Sequence, residues 1–170
     1  GAVNRWTREG TFGLIGAGTR LERRGVSLAL GGDVWLGDSR FANGEVFGKW
    51  SSSQERRGTV VALRGGFQAI GASAPLALWP AGDTGHARTT LLRAHPVLKA
   101  GRLDLQRLGR QVAHAGVELQ HWRPGPGPLA VAIAGFLDTA RTRRRFAGVS
   151  AADADIGAGV RIAVPGRRGL

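Results

Sequence analysis

The stretch that decides the fold is Ala152-Asp-Ala-Asp-Ile-Gly-Ala-Gly-Val-Arg-Ile-Ala-Val164, in which every second residue is apolar. The positions between them hold Asp153, Asp155, Arg161 and small residues. A β-strand places these two sets on opposite faces, whereas a helix would mix them. The pattern therefore predicts a strand with one apolar face and one polar face.

The same alternation recurs along the chain. We predict seven strands, near residues 11–22, 25–36, 42–52, 58–72, 111–122, 129–141 and 152–164. Strands of soluble proteins average about five or six residues, whereas a tilted strand needs about 9 to 11 to cross a bilayer. Because most of the predicted strands reach the second length, the fold class we predict is all-β. It is an antiparallel up-and-down transmembrane β-barrel, incomplete, with about seven strands visible.

Composition narrows the possible functions. The net charge is +12, with 22 arginines and only two lysines, Lys49 and Lys99. A nucleic-acid partner would require a basic face, but the arginines fall mostly in connections, so we expect solvated turn charges and no nucleic acid. The chain has no cysteine, which excludes disulfides and cysteine chemistry. It also has no apolar run of 18 residues, so we expect no transmembrane helix.

No pattern of catalytic residues is evident, and we expect no enzyme activity, no cofactor and no metal site. The four histidines lack metal-ligand spacing, and His114 and His121 fall on opposite faces of their strand. Ser51-Ser52-Ser53 lacks the G-x-S-x-G context of a nucleophile. The tryptophans Trp6, Trp50, Trp79 and Trp122 lie near strand ends, where an interfacial girdle is expected, although Trp122 has the parity of the polar face.

Tight basic connections occupy every second position between strands. They are Arg23-Arg24-Gly25, Arg56-Arg57-Gly58, Arg123-Pro124-Gly125 and Arg167-Arg168-Gly169. A meander puts all of them on one rim, and puts the connections 37–41, 73–110 and 142–151 on the other. This asymmetry is typical of outer-membrane barrels, which have short periplasmic turns and long outer loops. The paired arginines are either solvated turn charges or contacts to an anionic headgroup boundary.

Four short motifs follow one another over residues 92–165. They are Leu92-Arg93-Ala94-His95, Gly116-Val-Glu118-Leu-Gln120, Phe136-Leu-Asp138-Thr-Ala140 and Asp155-Ile-Gly-Ala-Gly-Val-Arg-Ile-Ala-Val-Pro165. This series resembles the BamA/TamA-like family of outer-membrane barrels, the bacterial surface-antigen superfamily. Its members carry [V/I/L]-R-G-[F/Y] in a lumenal loop, then an inward Glu, F-x-D-x-G and G-x-G-h-R before a P-G turn. The chain departs from these motifs at Ala94, His95, Gln120 and Ala140.

The resemblance implies a location in the bacterial outer membrane, with outer-membrane lipid around the barrel. It also implies a role in inserting barrels into that membrane or translocating proteins across it. The implied partners are client outer-membrane or secreted proteins and periplasmic domains or lipoproteins. Residues 1–170 would then be a central-to-late part of a sixteen-stranded barrel, with an extracellular or lumenal loop at about 73–110. The alternatives are a passive porin- or adhesin-like barrel and, from another class, a soluble basic β-protein that binds nucleic acid.

One lumenal cluster follows from these motifs. A guanidinium inside a lumen needs acceptors, and Glu118 and Asp138 both have polar-face parity on adjacent strands. Together with the resemblance, this predicts that Arg93, Glu118, Asp138 and Phe136 anchor the long loop. The alternative is that the charges face lumen water without meeting.

Overall fold

The structure, a computed structural model, describes residues 12–81, 98–99, 102–103, 108–125, 129–145 and 150–164. Seven long strands lie within these residues. They are β1 (Phe12–Arg23), β2 (Val26–Gly37), β3 (Phe41–Ser51), β4 (Gly58–Ile70), β7 (Gly109–Pro124), β8 (Ala130–Arg145) and β9 (Ala151–Ala163). Between β4 and β7, a 3₁₀ turn spans Leu76–Leu78, and two short strands, β5 (Leu98–Lys99) and β6 (Arg102–Leu103), pair with each other.

The long strands form one antiparallel sheet in the order β1-β2-β3-β4-β7-β8-β9. Each long strand therefore pairs with the long strand that follows it, and the two outermost strands leave the sheet open. The predicted all-β, antiparallel, up-and-down architecture is confirmed, and the open sheet is consistent with an incomplete barrel. That it crosses a membrane stays a prediction. Among the described residues, no helix has the length and apolar character needed to span a membrane.

All strand boundaries but one lie within two residues of the predicted ones, and the exception is the loop end of β8, which continues four residues further. The pairs Gly109↔Arg145 and Gln111↔Arg143 continue the ladder beyond the predicted ends at residues 111 and 141. Apolar alternation stops there because the side chains become polar, while backbone pairing continues. The connection at 73–110, predicted to be a loop, also contains the 3₁₀ turn and the short β5–β6 hairpin.

The first hairpin turns over only two residues. Arg23 pairs with Val26, and the turn residues Arg24 and Gly25 have φ values of 38° and 82°. Two successive positive φ values define the type I′ turn, whose twist matches that of the flanking strands. A Cβ on Gly25 would also lie 2.8 Å from the carbonyl oxygen of Ser51. Glycine is therefore required at residue 25 both by backbone conformation and by space.

Buried apolar residues form two small clusters at opposite ends of the sheet. The loop-base cluster, at the end that carries the long loop, consists of Phe41, Ile70, Ala74, Leu76, Trp79, Ala81 and Leu108. The turn-end cluster consists of Val60, Trp122, Ala132 and Ala163. Most of the other large apolar side chains of the sheet are exposed on the opposite face.

Candidate functional site

The two faces of the sheet have opposite polarity. We call outer the face that carries Ile133, Leu137 and Ile156, and inner the face that carries Glu118 and Asp138. On the outer face, Ile156 is 84% exposed and Ile133 74% exposed, and all the other large exposed apolar side chains of the strands except Leu14 share this face. On the inner face, Asp138 is 0% exposed and Glu118 7%. This is the reverse of a soluble protein, which buries apolar side chains and exposes carboxylates.

Glu118 forms a bidentate ion pair with Arg161 on the inner face. Arg161 of β9 donates from Nε to Oε1 and from Nη2 to Oε2, each at 2.9 Å. The strand between them, β8, places Ala132 beside Arg161 and Phe136 beside Glu118 in the register. The paired geometry matches the fork of a guanidinium to both carboxylate oxygens, the strongest form of charge-assisted hydrogen bond.

The Glu118 contact extends along β7 toward the turn end. Gln120 donates from Nε2 to Oε1 of Glu118 at 2.8 Å, and Trp122 donates from Nε1 to Oε1 of Gln120 at 2.7 Å. The guanidinium of Arg56 lies over the Trp122 ring at 5.9 Å. A continuous polar chain therefore runs from Arg161 to the rim, where Trp122 is packed in the turn-end cluster.

A second ion pair crosses strand β7. Nη2 of Arg64 on β4 lies 2.9 Å from Oδ2 of Asp138 on β8, in ion-pair contact rather than in hydrogen-bond alignment. The register places Gly116 of β7 directly between them. A Cβ at residue 116 would lie 2.9 Å from Nε of Arg64 and would collide with Oδ1 of Asp138. Gly116 thus provides the space in which the two charges meet.

Phe136 lies on the inner face beside Glu118. Its ring covers Gly157 of β9, its partner in the register, so that a Cβ at residue 157 would fall 2.8 Å from Cε1 of the ring. An aromatic side chain over a cross-strand glycine fills the space that the missing side chain leaves in a sheet. Phe136 therefore packs against the inner face of the sheet, over β9.

The base of the long loop is packed onto the inner face. Phe41 and Ile70 point inward from β3 and β4 and contact the loop residues of the loop-base cluster. Trp79 donates from Nε1 to the carbonyl oxygen of Ala74 at 3.1 Å, and the guanidinium of Arg110 stacks on its ring at 5.0 Å. A bridge between Ala81 and Leu108 closes the base. Below it lies a recess of about 690 Å³ that is lined by residues including Asp33, Glu45 and Gln68.

The predicted loop anchor is described only in part. Glu118, Asp138 and Phe136 all lie on the inner face, in neighbouring strands, as their parity predicts. Arg93 lies outside the described residues, so its contact with the carboxylates stays a prediction. The sequence reasoning missed the arginines of the strands, Arg64 and Arg161, as partners of these carboxylates. Their inner-face parity was readable, but the register that brings each to its carboxylate was not.

The basic connections are partly described. Arg23, Arg24, Arg57 and Arg123 are exposed, and Arg56 is half-buried against Trp122. Arg167 and Arg168 lie outside the described residues. The described connections share one end of the sheet, because they link consecutive antiparallel strands at every second step. Their periplasmic location stays a prediction.

The tryptophan girdle was predicted wrongly for two residues. Trp79 and Trp122 are 6% and 9% exposed and belong to the buried clusters, because one lies in the inward-folded loop base and the other on the inner face. Trp50 is exposed on the outer face, as a girdle requires, and Trp6 lies outside the described residues. His114 and His121 do face opposite sides. No group of residues in the described part of the chain has the arrangement of a metal site.

Comparison with known proteins adds no assignment: no protein-family model, curated protein or solved structure matches this chain.

Proposed function

We propose that this chain forms part of the wall of a transmembrane β-barrel in the bacterial outer membrane. The observation that carries the proposal is the inverted polarity of the sheet. Soluble monomers rarely expose contiguous apolar patches larger than a few hundred Å², whereas a barrel wall faces lipid with one side and a polar lumen with the other. Isoleucine and leucine side chains on the outer face and paired charges on the inner face fit the second environment.

Strand length supports the same proposal. The long strands contain 11 to 16 residues, which exceeds the roughly 9 to 11 that a tilted crossing needs. Along β9 and the residue that follows it, the outer-face positions are apolar from Ala152 to Val164. Twelve residue steps correspond to about 40 Å along a strand and about 30 Å of height at a tilt near 40°, enough for an apolar band of roughly 25 Å.

Within this class, we propose a barrel that inserts other barrels into the membrane or translocates proteins across it. The support is the resemblance over residues 92–165 together with the loop base, which packs inward onto β3 and β4. A passive porin- or adhesin-like barrel is the second candidate. It is favoured by the pairs Arg64–Asp138 and Arg161–Glu118, which join strands of the wall and require no moving part. Assembly of a client barrel in vesicles that contain the protein separates the two.

Membrane fractionation tests the class directly. The protein that contains this chain is expressed in a Gram-negative host, and its outer membranes are washed with alkaline carbonate. We expect the protein to stay in the membrane pellet, to need detergent for extraction, and to migrate faster on a gel before boiling than after it. Release by carbonate into a detergent-free solution, with no change of migration on boiling, would contradict the proposal.

A further inference from the structure

The outer face of β8 changes from apolar to basic toward the loop end. Ile133 and Leu137 are followed on the same face by Thr139, Arg141 and Arg143. Both arginines are exposed, and neither has a hydrogen-bond or ion-pair partner among the described residues. Two arginines at alternate positions of one strand place their Cα atoms about 7 Å apart on one side of the sheet.

The height of these arginines matches the edge of a bilayer. Ten residue steps separate Val131, at the turn end of the outer apolar band, from Arg141. They correspond to about 33 Å along the strand, or about 25 Å of height at a tilt near 40°, which equals the apolar band of outer-membrane barrels. If Val131 lies at one boundary, Arg141 lies at the other and Arg143 just beyond it.

Both guanidinium groups are accessible, and no described residue beside them carries a compensating negative charge. Arg141 is flanked in the register by Ala113 and Ala152, and Arg143 by Gln111, so no carboxylate adjoins them across the described strands. Asp153, the nearest acidic residue in the register, belongs to the inner face. A shallow depression of about 420 Å³ continues from Arg141 into the apolar band, lined on the outer face by Ala113, Ala115, Thr139, Ala152 and Ala154.

We propose that Arg141 and Arg143 bind the phosphate group of a membrane lipid, with an acyl chain of that lipid in the alanine-lined depression. The inference rests on the proposed function, because it requires the outer face to lie in a bilayer. Arginine suits the task because its planar fork matches phosphate oxygens, and small neighbours leave room for a chain beside the strand.

Native mass spectrometry of the purified protein in detergent, titrated with diphosphoryl lipid A, measures this binding. Each arginine near a lipid phosphate contributes about 1 kcal/mol, so we expect R141Q/R143Q to bind about 30-fold more weakly than the wild type and each single variant about 5-fold. The matched control is R24Q/R57Q, which removes two exposed charges from the turns. Lipid A without phosphates is the ligand control and should bind the wild type and R141Q/R143Q equally.

Flotation of every variant with phosphatidylcholine vesicles separates the two proposals. Proteins that float but show equal lipid A binding by wild type and R141Q/R143Q overturn the lipid-phosphate site alone. An equal loss in R24Q/R57Q also overturns it, since the binding would then follow net charge. Wild-type protein that does not float at all contradicts the proposed membrane barrel, and the lipid site with it.

Discussion

Arg161 on β9 donates two hydrogen bonds of 2.9 Å to the carboxylate of Glu118 on β7, across the intervening strand β8. The reach is possible because the inner-face residues of β8 in this region, Ala132 and Ala134, have small side chains. The contact joins β7 and β9 across β8, and the carboxylate of Glu118 is buried. This ion pair should therefore stabilise the folded state more than an ion pair in open solvent does.

Replacement of Glu118 tests how much this ion pair contributes to stability. Glu118→Ala leaves Arg161 and Gln120 without their acceptor, so we expect the free energy of unfolding in detergent, measured by denaturant titration, to fall by about 1 to 3 kcal/mol. The control is Arg20→Gln, which removes the exposed Arg20–Glu22 pair at 3.8 Å. Exposed pairs contribute about 0 to 1 kcal/mol, so equal losses in the two variants would contradict the account.

Gly116 provides a second test, through space rather than charge. In Gly116→Ala the new methyl group would collide with the Arg64–Asp138 pair, and overpacking of this kind costs about 1 to 3 kcal/mol. Gly135→Ala is the control, since its Cβ meets nothing closer than 4.0 Å. Denaturant midpoints in detergent should fall for the first variant and stay unchanged or rise for the second. An unchanged midpoint in Gly116→Ala would show that the two charges do not meet across β7.

Trp79 should keep the base of the long loop packed against the sheet. Trp79→Ala removes the largest side chain of the loop-base cluster, and we expect faster proteolysis between residues 82 and 107 while the sheet stays folded. Leu78→Ala is the control, because Leu78 is 39% exposed and adjoins Trp79. Limited proteolysis followed by mass spectrometry gives the cleavage sites. Equal cleavage rates in both variants and the wild type would mean that the cluster does not hold the loop.

A charge on the outer face should be costly, and its cost should depend on depth. Leu137 lies near the middle of the outer apolar band of β8, between Val131 and Arg141. Val117 and Ile156 flank it on the neighbouring strands. Arginine at the midplane of a barrel costs about 2 to 4 kcal/mol, against about 0 to 1 near the interfaces. Refolding into lipid vesicles should therefore be destabilised far more by Leu137→Arg than by Ile162→Arg, near the end of β9. Nearly neutral effects at both positions are what a water-exposed surface would give.

The sequence predicted the strands because alternation is a local signal. In Ala152–Val164 the parity of every residue could be read without a partner strand, and the structure confirms the assignment of Asp155 and Arg161 to the inner face. The same parity placed Glu118 and Asp138 correctly. The sequence also placed Gly25 in a tight connection with Arg23 and Arg24, and the structure places Arg24 and Gly25 in the two-residue turn.

The pairings could not be predicted, because they depend on register. Arg64 meets Asp138 only because β4, β7 and β8 align residues 64, 116 and 138 in one row. A shift of one residue in either ladder would move one charge to the outer face. Trp79 was misjudged for a related reason: its sequence position near a strand end says nothing about whether the loop folds inward or outward.

Site-directed spin labelling tests the central claim, that the outer face contacts lipid, most directly. This chain contains no cysteine, so a label at Ile156→Cys on the outer face can be compared with one at Gln68→Cys in the inner recess. In reconstituted vesicles we predict that oxygen, which concentrates in lipid, relaxes the first label strongly, and that a water-soluble nickel complex relaxes the second. Equal access of the nickel complex to both labels would contradict the account.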